Sequence, residues 1–172
     1  MSRFEKRKNI HDEFWTVIDS VTASPATVDD LPIDALTEDE AEVELIEGTI
    51  DAVPADRFDG ATCLLVLHFL DRSERLNTLM QIHRRLKPGA RLVVAHHSAG
   101  TGDAALWLAR SAAFADRETL SWEIASATGT AMVAALPLLF ASEEEALMRE
   151  AGFGSIELFY SAFSFKGWVA TA

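Results

Sequence analysis

Five histidines, a single cysteine and a few glycine-bearing turns carry most of the chemistry this chain could do. His68 closes one apolar run and His96-His97 closes another. Imidazole is the side chain whose ordinary pKa permits proton transfer near neutral pH. His68 and His97 are therefore the candidate bases towards a substrate, with packing beside Phe69 and Leu70 as the structural alternative for His68. Adjacent residues on a strand point to opposite faces, so His96 and His97 do not readily chelate one ion. With His11 and His83 on expected helices, no ligand spacing of a metal site is present, and none is expected. Cys63 sits in an apolar run with no activating charge beside it and is expected to be inert. Gly100-Thr-Gly102-Asp-Ala-Ala105 fits G-x-G-x-x-A, but a dinucleotide fingerprint also needs a following strand that ends in an acid. None is readable, so a loop is expected there. The chain has neither a phosphate-binding G-x-x-x-x-G-K-[ST] loop nor a serine nucleophile elbow. Arg72, Arg75, Arg84, Arg85, Lys87 and Arg91 are expected to form a solvated helix face.

The elements that must position these residues can be read from periodicity and punctuation. Phe4–Ser20 has the spacing of an imperfect amphipathic helix. Val21–Ala41, with Pro25, Pro32 and many acids, reads as loop, or as a short helix near Asp34–Ala41. Val43–Ile46 reads as a strand ending at Gly48. Ala61–Leu67 is a continuous apolar run, the mark of a strand buried on both faces. Asp71 and Glu74 make a capping box for a helix with the stripe Leu76, Leu79, Ile82, Leu86. Lys87-Pro88-Gly89 stops that helix, and Arg91–His96 is a second strand. This is a βαβ unit, for which a parallel pair is expected. Gly100–Pro137 reads as one or two helices. Ser142 with Glu145 suggests a second capping box, and Gly152 a helix stop. Ser155–Tyr160 and Ala162–Val169 are joined so closely that they must pair antiparallel.

Four of these stretches, in order, resemble the class I S-adenosylmethionine (SAM)-dependent methyltransferases. Val43–Pro54 is similar to the third strand and adenine loop of that family, and Phe58–Leu70 to its fourth strand. Arg84–Val94 is similar to its helix end, turn and fifth strand, and Glu144–Phe153, ending Ala-Gly-Phe, to the helix before its last two strands. The resemblance covers about Glu42–Val169. It implies an α/β fold: a Rossmann-like, mostly parallel sheet with a C-terminal antiparallel strand pair. It implies SAM as cofactor, with Gly48, Thr49, Ile50, Asp51, Cys63 and Leu64 as the cofactor-binding positions, and a small-molecule methyl acceptor. The family's glycine-rich turn has no counterpart, because the first glycine is Gly48. No Asp or Glu stands between Thr22 and Pro25, where the ribose acid is expected. Relative to the family, the sheet is thus N-terminally truncated by about one strand and one helix. The Ala61–Leu67 strand would lose a neighbour and expose backbone. Refolding of Phe4–Ala23, or a homodimer, is expected to cover it. The alternative to an enzyme is a non-catalytic, methyltransferase-derived binding or assembly protein that has lost SAM.

Composition bounds these readings. The chain is 172 residues and 49 % apolar, enough for one globular domain over 1–172, with a divergent segment 1–41 and a family-like part 42–172. Its net charge of −12 argues against nucleic acid as a partner. The longest apolar run, Ala61–Leu70, falls far short of the roughly 20 residues of a membrane span. One cysteine and a charged N-terminus fit the cytoplasm.

Overall fold

The computed structural model describes residues 14–16, 45–55, 57–115 and 121–172. Their centre is the βαβ unit. β3 (Phe58–Leu64) and β4 (Leu86–His97) run parallel, with Ala61 opposite Leu92 and Cys63 opposite Val94. The helix α1 (Arg72–Arg85) crosses between them. Its capping box forms as the sequence suggests. Asp71 Oδ1 accepts from the N–H groups of Ser73 and Glu74 at 2.8 and 2.9 Å, and Glu74 Oε2 accepts from the Asp71 N–H at 3.0 Å. The helix does end before Lys87-Pro88-Gly89, but these residues already belong to β4, which begins at Leu86. Gly89, at φ +85°, donates to the Ala172 carbonyl at 2.7 Å.

β5 (Gly154–Ala162) and β6 (Phe165–Thr171) form the expected antiparallel hairpin, in a four-stranded sheet of order β3-β4-β6-β5. The turn is Phe163-Ser164 and not Ser161, because Ser161 and Ala162 still pair with Lys166 and Phe165. Phe163 takes φ +53° to make this two-residue turn. The α/β class and the closing antiparallel pair stand, and the parallel part of the sheet is β3 with β4.

One sheet face carries the core. Leu92, Val94, Trp168 and Ala170 pack against Leu79 and Ile82 of α1 and Leu147 and Met148 of α4 (Ala141–Glu150), and all are at most 2 % exposed. α2 (Ala104–Ala115) and α3 (Trp122–Ala135) form a separate helical hairpin, the two-helix alternative for Gly100–Pro137.

Four expectations need correction. Phe14–Thr16, placed in a helix by periodicity, is strand β1, paired antiparallel with β2 (Leu45–Glu47). The other residues of Phe4–Ser20, and Val21–Ala41, lie outside the described residues. β1 and β2 form their own two-stranded sheet, so partner backbone overrides the weak helical pattern. The apolar run Ala61–Leu67 is not one doubly buried strand. It leaves β3 at Leu64, and Leu64 and Leu65 are each 53 % exposed. Among the described residues β3 is an edge strand, so nothing there covers its outer side. The second capping box shifts. α4 starts at Ala141, Glu143 Oε2 accepts from the Phe140 N–H at 2.8 Å, and Glu145 instead accepts from Arg149 at 3.2 Å. Lastly, the basic set is not one solvated helix face: Arg75 is fully buried, and Lys87 and Arg91 stand on β4.

Candidate functional site

The parallel strands β3 and β4 end side by side, and their C-terminal ends gather three histidines. His68 lies on the 3-10 turn Leu67–Phe69 that follows β3. His96 and His97 end β4 and, as strand alternation requires, take opposite faces. His96 turns into the core beside Trp168, with ring centroids 5.4 Å apart, and His97 lies against Phe165 at 5.6 Å. The His68 ring stands 6.0 Å from His96 and 5.3 Å from His97. The two candidate bases, His68 and His97, are thus neighbours.

A buried network holds this cluster. Arg75 of α1 donates through Nη1 to Glu144 Oε1 of α4, and through Nη2 to the carbonyls of Leu70 and Pro137 at 3.1 and 3.0 Å. His96 Nε2 donates to the same Glu144 oxygen at 3.0 Å. Arg75, Glu144 and His96 are all inaccessible to solvent. His97 Nδ1 is 2.9 Å from Ser164 Oγ in the β5–β6 turn, which leaves Nε2 as the atom that could meet a ligand.

The electrostatics keep two of the rings neutral. Burial, then the positive charge shared with His96, His97 and Arg75, lowers the His68 pKa to about 3. Burial, then His96, also lowers His97. A base works best with a pKa near the operating pH. His68 is too far depressed and too buried for that task, and half-buried His97 suits it better.

The cofactor candidates do not converge in the same way. Gly48, at φ +147°, and Thr49 precede the 3-10 turn Ile50–Ala52. Ile50 (7 % exposed) and Cys63 (1 %) belong to the core cluster, whereas Thr49, Asp51 and Leu64 are exposed. A cavity of about 520 Å³ lies elsewhere, beyond β4, where Gly100 and Thr101 face Phe140, Ser142 and Lys166. After Gly100, Asp103 caps α2 by accepting from the N–H groups of Ala105 and Leu106 at 2.9 and 3.2 Å. The next described element is α3, so among the described residues no fingerprint strand follows. Among the described residues no group of three or more His, Cys, Asp or Glu could hold a metal ion, and no helix is long and apolar enough to cross a membrane.

Sequence reasoning missed Arg75 and Glu144: spacing sets each at the start of an apolar stripe but does not tell a buried charge from a solvated one. Arg75, Leu79, Ile82 and Leu86 recur at helical intervals of four, three and four residues. Glu144, Leu147, Met148 and Ala151, at i, i+3, i+4 and i+7, share one face of α4 and its C-cap. All eight are buried, so each charged residue opens an apolar stripe.

A family model described as a methyltransferase domain matches residues 15–94. Among solved structures, a protein assigned as an O-methyltransferase from Nostoc punctiforme is similar, with 18 % identity and a TM-score of 0.51. The match covers 73 % of this chain and 35 % of that one. Human N-acetylserotonin methyltransferase, solved in complex with SAM, is similar with 16 % identity and a TM-score of 0.51, over 73 % of this chain and 32 % of that one. At such identities the likeness is one of fold, and this chain spans about a third of the length of those structures. No curated protein sequence matches it.

Proposed function

Since the chain has the fold of the class I SAM-dependent methyltransferases, we propose that it is the substrate-side part of such an enzyme, acting on a small molecule. The observation that carries this reading is the convergence of His68, His96 and His97 where β3 and β4 end, the end at which open α/β sheets bind ligands. Methyl transfer needs chiefly alignment, with a base only when the acceptor is protonated. His97 is the residue we assign to that base, with Ser164 fixing its ring. His68 stands behind it as a neutral wall. The sole cysteine, Cys63, supports a cytoplasmic setting.

The described residues do not fit the whole of SAM. Ile50 and Cys63 are committed to the core, which leaves Gly48, Thr49, Asp51 and Leu64 as surface for an adenosine. No glycine precedes Gly48 to let backbone N–H groups approach the methionine end. Losing three or four hydrogen bonds, each worth roughly 0.5–1.5 kcal/mol and more where one partner is charged, removes about 3–5 kcal/mol. At tenfold per 1.4 kcal/mol, a micromolar ligand becomes about millimolar. This mismatch favours a second reading, a methyltransferase-derived binding or assembly protein without catalysis.

Saturation-transfer NMR with SAM and S-adenosylhomocysteine separates the two. Competing signals at millimolar concentration are expected of a weakened enzyme. Silence at several millimolar leaves the non-catalytic reading. Micromolar affinity would instead show that the missing glycine turn is not needed here.

A further inference from the structure

The cavity beyond β4 has no part in that reading, and its lining is chemically specific. Its volume of about 520 Å³ falls within the roughly 300–1,000 Å³ of small-molecule sites and is too large for a single ion. Trp107, Phe140 and Phe163 provide aromatic walls, and Lys166, Ser142 and Ser161 provide polar groups. Lys166 stands opposite His96 across β4–β6 and opposite Ser161 across β5–β6. Paired residues share a sheet face, so the hairpin register aims Lys166 and Ser161 the same way.

Two observations point to a ligand. Among the described residues Lys166 makes no ion pair. Burial alone lowers its pKa, with no carboxylate to offset the loss of solvent. In a chain of net charge −12, a half-buried ammonium left without a counter-charge is an uncommon economy. Trp107, in turn, is held in place as a wall. Its Nε1 donates to the Thr101 carbonyl at 3.3 Å, and the Arg110 guanidinium lies 4.8 Å over its ring. The indole fits against the chain only because residue 100 is glycine: a Cβ there would sit 2.8 Å from Trp107 Cδ1.

We propose that this cavity binds a small aromatic carboxylic acid, its ring between Trp107, Phe140 and Phe163 and its carboxylate on Lys166, oriented by the hydroxyls of Ser142 and Ser161. One ammonium matches one carboxylate charge, and a dianionic phosphate would be left half compensated. Flat aromatic walls select a planar ring. The inference stands apart from the SAM reading, and its test requires no SAM.

The experiment titrates benzoate, its neutral analogue benzamide and inorganic phosphate into the full chain, followed by protein NMR and tryptophan fluorescence at low salt. Benzoate is expected to bind at least tenfold more tightly than benzamide, with phosphate unable to displace it. K166M should abolish the preference and K166R retain most of it. G100A keeps the charge but displaces the indole, and should weaken both aromatic ligands several-fold. Circular dichroism and urea unfolding check that each variant is folded. Equal affinity for benzoate and benzamide, a preference that survives K166M, or displacement by equimolar phosphate would overturn the proposal. Unchanged binding by G100A would overturn the ring contact.

Discussion

At the scale of single residues, the Arg75–Glu144–His96 network ties α1, α4 and β4 together through three side chains with no solvent exposure. Removing one partner of a buried ion pair strands the other, at a cost of about 3–5 kcal/mol. Glu144→Ala should therefore lower the urea unfolding free energy by about that amount. Glu144→Gln, which keeps an acceptor for Arg75, should cost less. Two variants that unfold at the wild-type midpoint would remove the network from the account of stability. His68 makes a pH-dependent prediction. Its folded pKa of about 3 lies below the ordinary 6.5, so the unfolded chain binds the proton first. Stability is then full above pH 6.5 and falls as the pH drops from 6.5 towards 3, by ~1.4 kcal/mol per pH unit from this group. Between pH 8 and pH 5 the wild type should lose about 2 kcal/mol more than His68→Gln, a difference measurable by urea unfolding at the two pH values. Parallel profiles would mean that His68 is not held neutral.

At the scale of elements, the α2–α3 hairpin depends on close approach of two backbones. Gly129 of α3 faces α2 so closely that a Cβ would lie 2.3 Å from the Ala105 carbonyl oxygen and 2.7 Å from the Ala109 nitrogen. Backbone atoms cannot swing aside as a long side chain can. Gly129→Ala gains about 1 kcal/mol of helix propensity, yet overpacking costs about 1–3 kcal/mol and separates the helices. A net loss of up to about 2 kcal/mol in thermal or urea unfolding is expected. A more stable variant would show that the helices stand further apart.

At the scale of the whole molecule, β3 and β5 are the two edges of the four-stranded sheet, and β3 is the edge of its parallel pair. Among the described residues β3 pairs with β4 alone, and Leu64, its last residue, and Leu65 after it are each 53 % exposed. Unpaired backbone beside apolar side chains is a template for pairing with another chain. Light scattering of the isolated chain should show concentration-dependent association, and Leu64→Lys should reduce it. A monomer at all concentrations would dispose of the homodimer.

Much of this molecule was legible in local patterns. Asp71 with Glu74, the apolar stripe from Leu76 to Leu86, and the short join expected at Ser161, which the structure moves to Phe163-Ser164, specify a βαβ unit and an antiparallel hairpin. The physical reason is short range: capping, helical periodicity and turn closure depend on residues a few positions apart. The His96–His97 alternation was legible for the same reason. What only the tertiary structure decided lies between distant segments. Arg75 and Glu144 are 69 positions apart and meet through their head groups, and no local rule separates a buried charge that opens an apolar stripe from a solvated one. Phe14–Thr16 became a strand because Leu45–Glu47 lies beside it. The cavity around Lys166 is assembled from the end of β4, two helices and a hairpin turn, and it exists only once the sheet has brought those pieces together.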